Sequence, residues 1–172
     1  MPDRNSTKSA LNEIRETLIS RHESVSVAES VTAGHLQSAL ASASDATMFY
    51  EGGITTYNAR QKVRHLGIDP VHALKHNCVS EKVAEEMALG VARIFQSNWS
   101  VGVTGYATPI PGAGINSLFA FFAISWNGQI VKVKRIDTSE NDPQSAQAFY
   151  VNSILDELSH CLRVSSDAAH AS

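Results

Sequence analysis

The spacing of apolar positions divides the chain into a regular succession of helices and strands. Between Ser9 and Ser20, Leu11, Ile14, Leu18 and Ile19 fall at helical spacing, which predicts an amphipathic first helix. Ser24–Glu29 alternates polar and apolar residues and predicts a short strand with one face buried. A helix-like run from about Ala33 to Ala43 follows, then a turn at Ser44-Asp45-Ala46-Thr47. Phe49–Tyr57 reads as a second strand, and its Gly52-Gly53 pair predicts a bulge or a close approach by another backbone or a ligand.

Asn58 opens a short helix with Val63 and Leu66 facing in and Gly67 as its stop. Asp69-Pro70 starts another by N-cap and first-turn logic. Ser80 caps a longer helix, Glu81 to Phe95, whose early acidic residues suit the helix dipole. Its apolar face is Val83, Ala84, Met87, Val91 and Ile94. Trp99–Thr104 is a third strand, and residues 105–117 form a long loop rich in Gly and Pro. Leu118–Trp126 and Ile130–Asp137 flank Asn127-Gly128, the preferred type I′ pair, so they form a hairpin. Asp142-Pro143 then launches a last helix to about Leu162.

This order predicts a three-layer α/β/α domain with a mixed sheet, because the C-terminal β-hairpin must contribute an antiparallel strand. At 172 residues a single domain is expected, over 9–163, between flexible segments at 1–8 and 164–172.

Charge adds exclusions. Fourteen Lys and Arg stand against 17 Asp and Glu, with no basic block, so the footprint of a general nucleic-acid binder is missing. Cys78 and Cys161 have no CxxC spacing, and free thiols in a reducing compartment are the default. Residues 1–5 lack an apolar signal-peptide core, and the longest mostly apolar run, Leu118–Trp126, is too short for a helical membrane span. A soluble protein located in the cytoplasm is expected.

Candidate chemistry lies at strand ends: Ser30–Gly34, Tyr57–Lys62 and Thr104–Gly114, which an open α/β sheet brings towards one another. Ser30 is a potential nucleophile if a base takes its proton, and Lys62 is that base if burial lowers its pKa. Unpaired N–H groups at the following helix start, around Thr32–Gly34, would hold an anion or an oxyanion. Tyr57 would donate to a leaving group or position Lys62. On the residues alone the simpler readings are a helix cap for Ser30 or Thr32, a solvated lysine at 62, a half-buried packing tyrosine at 57 and an ordinary turn at Thr104-Gly105. His72 and His76 have metal-ligand spacing, but no third ligand accompanies them and no metal or other cofactor is expected.

At these positions the chain resembles the C-terminal domain of CinA, whose stand-alone form is nicotinamide-nucleotide amidase. The family's Ala-Glu-Ser-Cys-Thr-Gly-Gly motif is matched by Ala28-Glu29-Ser30-Val31-Thr32-Ala33-Gly34. Its Gly-Gly-x-x-(Ser/Thr)-Tyr strand and following lysine are matched by Gly52-Gly53-Ile54-Thr55-Thr56-Tyr57 and Lys62. Val79–Ala84 and Val103–Pro109 match two further motifs. The resemblance implies hydrolysis of the carboxamide of nicotinamide mononucleotide to nicotinate mononucleotide and ammonia, in a homo-oligomer. It implies Ser30 as nucleophile, Lys62 as general base and Tyr57 in support, with Glu29, Thr32, Ala33, Gly34, Thr104 and Gly105 binding substrate. Val31, Ala33 and Thr108 depart from the family pattern. So does the loop 110–118, which has no lysine, and Glu140-Asn141-Asp142-Pro143, which lacks the family's arginine. An amidase for a different amide and a non-catalytic binding paralogue are the alternatives.

Overall fold

The computed structural model describes residues 4–170, with side chains over 7–165. The elements in order are α1 (Arg4–Arg21), β1 (Val25–Glu29), α2 (His35–Ala41), β2 (Tyr50–Thr55) and α3 (Ala59–Gln61), which runs on as a π-helical turn over Lys62–Leu66. Then come α4 (Pro70–Lys75), α5 (Glu81–Phe95), β3 (Trp99–Gly105), β4 (Leu118–Trp126), β5 (Gln129–Thr138) and α6 (Pro143–His170). The expected flexible segments fall partly outside the described residues; within them, 4–8 belong to α1 and 164–170 to α6.

The five strands run in the order β2-β1-β3-β4-β5. β1 is parallel to both neighbours, whereas β3–β4 and β4–β5 are antiparallel. The hairpin turn has φ 48° at Asn127 and 76° at Gly128, the left-handed pair that a type I′ turn requires. The β1–β2 register skips between Val25 and Ser26, the irregularity that the Gly52-Gly53 pair signals.

Helices cover both faces. On one, α1, α2 and α6 bury Ile14, Leu18, Leu36, Leu40, Tyr150 and Leu158 against Val25, Val27, Val101 and Phe122 of the sheet. On the other, α5 and the α3–α4 region bury Leu66, Ile68, Val83, Met87 and Val91 against Ala28. The expectation that β1 has only one buried face is therefore corrected: all five of its residues are buried. Its polar position, Ser26, is accommodated because its hydroxyl pairs with that of Ser97 at 2.6 Å. Ser100 likewise bonds Ser125 Oγ at 2.6 Å and the Ala88 carbonyl at 2.7 Å. Small residues on this face let α5 lie close. A Cβ on Gly102 would stand 2.3 Å from the Ala84 carbonyl oxygen and 2.4 Å from the Ala88 nitrogen.

The caps read from sequence recur in the structure. Asn58 accepts from the Gln61 N–H, Asp69 from Val71 and His72, and Ser80 from Val83. Because β1 sits between two parallel neighbours, the loops after β1, β2 and β3 open at the same end of the sheet.

Candidate active site

Ser30 is the first residue beyond β1. The Thr56 N–H donates to the Glu29 carbonyl at 2.8 Å, extending the parallel ladder and holding the β2 exit beside Ser30. Asn58 then starts α3, and the chain turns back so that Lys62, at the head of the π-helical turn, points at the strand ends. Its Nζ donates to Ser30 Oγ at 2.8 Å and to the Thr56 carbonyl at 2.8 Å. Lys62 is 2 % exposed and Ser30 8 %.

Burial pushes the Lys62 amine below its ordinary pKa of 10.5, because the ammonium loses its hydration; the neighbouring Cys78 side chain acts in the other direction and does not outweigh it. Among the described residues no carboxylate pairs with Lys62 to restore the charge. A buried, carboxylate-free amine against a serine hydroxyl is the arrangement needed to take the hydroxyl proton.

The contact opens into a cleft of about 580 Å³. Thr104 and Gly105 reach it from the end of β3. Thr104 Oγ1 donates to the Cys78 carbonyl at 2.6 Å, tying that strand end to the α4–α5 loop. Tyr57 lines the rim but is 76 % exposed, so it is neither a packing residue nor the group that positions Lys62; the Thr56 carbonyl does that.

Glu29, Thr32, Ala33 and Gly34 do not line the cleft. The Glu29 carboxylate is buried and turned into the start of α2, where it accepts from the Gly34 and Leu36 N–H groups at 3.1 Å each and from Gln37 at 2.8 Å. It holds the helix start that was expected to stay open for an anion. The Ala33 N–H is also engaged, with the Ser30 carbonyl at 3.1 Å. The N–H groups of Val31 and Thr32 make no hydrogen bond among the described residues, which moves the free donors next to Ser30 itself. Among the described residues, Thr32 Oγ1 and Thr56 Oγ1 are buried without a hydrogen-bond partner.

Several residues with no obvious sequence signal complete the site. Gln147 of α6 donates to the Val31 carbonyl at 2.9 Å and so braces the Ser30 loop. Asn77 and Cys78 both have left-handed backbone, φ 50° and 59°; only the asparagine is a residue that favours it. Asn77 Nδ2 donates to the Tyr106 hydroxyl at 3.2 Å, and the Tyr106 ring meets Phe119 edge-on at 5.4 Å. His72 and His76 lie apart from the cleft, their rings 4.1 Å apart at 72°, with His72 Nε2 2.9 Å from Ser80 Oγ. Among the described residues, no group of three or more His, Cys, Asp or Glu side chains is placed to hold a metal ion. No helix among them is long and apolar enough to cross a membrane.

Comparison with known proteins bears on the same residues. The model of the CinA C-terminal domain matches residues 7–162. A CinA-like protein from Prochlorococcus marinus is 42 % identical over 100 residues, 58 % of this chain and 24 % of the relative. The chain thus spans about a quarter of that relative's length. Crystal structures of a competence damage-inducible protein A from Klebsiella pneumoniae and of a CinA superfamily protein from Escherichia coli superpose with TM-scores of 0.84 and 0.81. They are 29 % and 27 % identical, covering 91 % and 92 % of this chain and 97 % and 93 % of theirs.

Proposed function

The chain belongs to the CinA C-terminal domain family, and from that premise we propose that it hydrolyses a carboxamide C–N bond with Ser30 as nucleophile and Lys62 as general base. The observation that carries this reading is the 2.8 Å contact between Ser30 Oγ and an amine that is almost wholly buried and, among the described residues, has no carboxylate partner. A binding-only use of the fold would leave Lys62 free to turn to solvent, and the buried contact with Ser30 argues against it.

In the proposed reaction Ser30 Oγ attacks the amide carbon while the neutral Lys62 amine accepts the hydroxyl proton. The Val31 N–H, unengaged among the described residues and on the cleft wall next to Ser30, is the donor assigned to the developing oxyanion. Lys62 then passes its proton to the departing nitrogen, which leaves as ammonia, and Ser30 is left acylated. Water attacks the ester, Lys62 takes its proton and returns it to Oγ, and the carboxylate is released. The Thr56 carbonyl keeps the amine aimed at Oγ throughout.

Nicotinamide mononucleotide is the amide that the family resemblance suggests, with nicotinate mononucleotide as product. A second reading, a different amide, is favoured by one feature: Lys62 is the only cationic side chain lining the cleft among the described residues. Ammonia release from nicotinamide mononucleotide, beside Ser30→Ala and Lys62→Ala, tests the proposal. Release by the parent alone is expected. Undiminished release by Ser30→Ala would remove the nucleophile assignment.

A further inference from the structure

Building on the amidohydrolase reading, we infer that Gln147 is a positioning residue for the reaction: its side chain holds the turn that aims the Val31 N–H at the oxyanion.

Residues 30–33 form a β-turn, closed by the Ala33 N–H on the Ser30 carbonyl at 3.1 Å. The peptide between Ser30 and Val31 carries the donor assigned to the oxyanion. The next peptide, between Val31 and Thr32, is the centre of the turn. A central peptide makes no hydrogen bond within its own turn, so it tilts unless a group outside holds it. Among the described residues the Thr32 N–H has no acceptor, and the Val31 carbonyl is held by Gln147 Nε2 alone, at 2.9 Å. The Val31 side chain is packed in the core, which fixes where the residue sits but not the tilt of the peptides on either side of it.

The brace comes from a rigid element. Gln147 stands 116 residues further along the chain, on α6, next to Ala146 and one turn before Tyr150, both fully buried. The Tyr150 hydroxyl donates to the Tyr106 carbonyl at 2.9 Å, so the same stretch of α6 is tied to the β3–β4 loop as well. Val31 and Gln147 both line the cleft beside Ser30. The Val31 carbonyl can only accept, so the amide end of Gln147 that faces it must be the donor end. A side chain with no donor at this position, or with an ionised carboxylate, leaves the central peptide with no hydrogen bond at either end. An oxyanion donor helps only if it is already in place when charge develops, so the loss falls on the chemical step rather than on binding.

Sulfonylation of Ser30 by phenylmethylsulfonyl fluoride, in which Oγ displaces fluoride at sulfur, tests this without a natural substrate. It uses the nucleophile, the base and the oxyanion donor, and intact mass follows it. The saturating rate (kinact) and the half-saturating concentration (KI) are measured for the parent, Gln147→Leu and Gln147→Glu. Ser30→Ala is the unlabelled control, and circular dichroism checks that each variant is folded. The expected result is a labelled parent, and in Gln147→Leu a kinact lower by about 10- to 100-fold with KI within about threefold of the parent's. Gln147→Glu should show the same loss at about pH 8, where its carboxylate repels the Val31 carbonyl. Its kinact relative to the parent's should recover as pH falls to about 5 and the carboxyl gains a proton to donate. Parental kinact in Gln147→Leu, a loss carried by KI alone, or a Gln147→Glu ratio that stays flat with pH overturns the inference and leaves Ser30 as the nucleophile. An unlabelled parent overturns the amidohydrolase reading and this inference with it.

Discussion

Lys62 Nζ lies 2.8 Å from Ser30 Oγ although 32 residues separate them in the chain, and both are buried. Two strand exits and one short helix create this contact. Its chemistry depends on the amine being dehydrated.

Ser30→Ala is expected to lower amide hydrolysis by about 10³-fold or more, because among the described residues no other hydroxyl is hydrogen-bonded to Lys62. The fold should persist, with a stability change within about 2 kcal/mol for the lost hydrogen bond. Circular dichroism and urea unfolding beside the ammonia assay check both parts.

Lys62→Arg keeps a positive charge and hydrogen-bond donors but cannot shed its proton, so it should be inactive. In the parent, kcat/KM should rise with pH as the ammonium deprotonates, and level off below the ordinary lysine value of 10.5. A plateau reached only above that value would contradict the burial argument.

The same shift has a stability consequence. A lysine whose folded pKa is lowered binds fewer protons folded than unfolded between the two values, so stability rises with pH across that interval. Below the folded pKa the cost of keeping the ammonium buried is fully present. Lys62→Met removes the titrating group, and its stability relative to the parent should therefore improve as pH falls from 10 to 7. Paired urea titrations at several pH values measure the difference directly.

Glu29→Gln should destabilise the protein by about 1–3 kcal/mol, because a charged acceptor for three N–H groups at the start of α2 is lost. KM should move little. A large KM increase with stability unchanged would instead make Glu29 a substrate ligand.

Ala33 holds a left-handed backbone, φ 50°, at a position where the family motif has glycine. Ala33→Gly should relieve strain worth about 1–2 kcal/mol against about 0.4–1 kcal/mol of added unfolded-state entropy. A small net gain in Tm is expected from thermal unfolding. Gly102→Ala tests the opposite case, overpacking: its Cβ would strike the α5 backbone, and a loss of about 3 kcal/mol is expected.

Local physics made much of this protein legible without coordinates. Hydrophobic spacing located the strands and the long helices, Ser80, Asp69 and Asn58 marked helix starts, and Asn127-Gly128 marked the hairpin, because each of these signals acts within a few residues. Motif resemblance pointed to Ser30 and Lys62. What those groups touch was decided by the tertiary structure alone. Whether Lys62 is a wet surface lysine or a dry base depends on segments that cover it from elsewhere in the chain. The same holds for Glu29, whose carboxylate turns away from the cleft because α2 presents unpaired N–H groups to it, and for Tyr57, left exposed while the Thr56 carbonyl orients the amine. The full burial of β1 was hidden for the same reason: Ser26 looks like a solvent-facing residue until a second hydroxyl, that of Ser97 in the α5–β3 connection, shares a hydrogen bond with it.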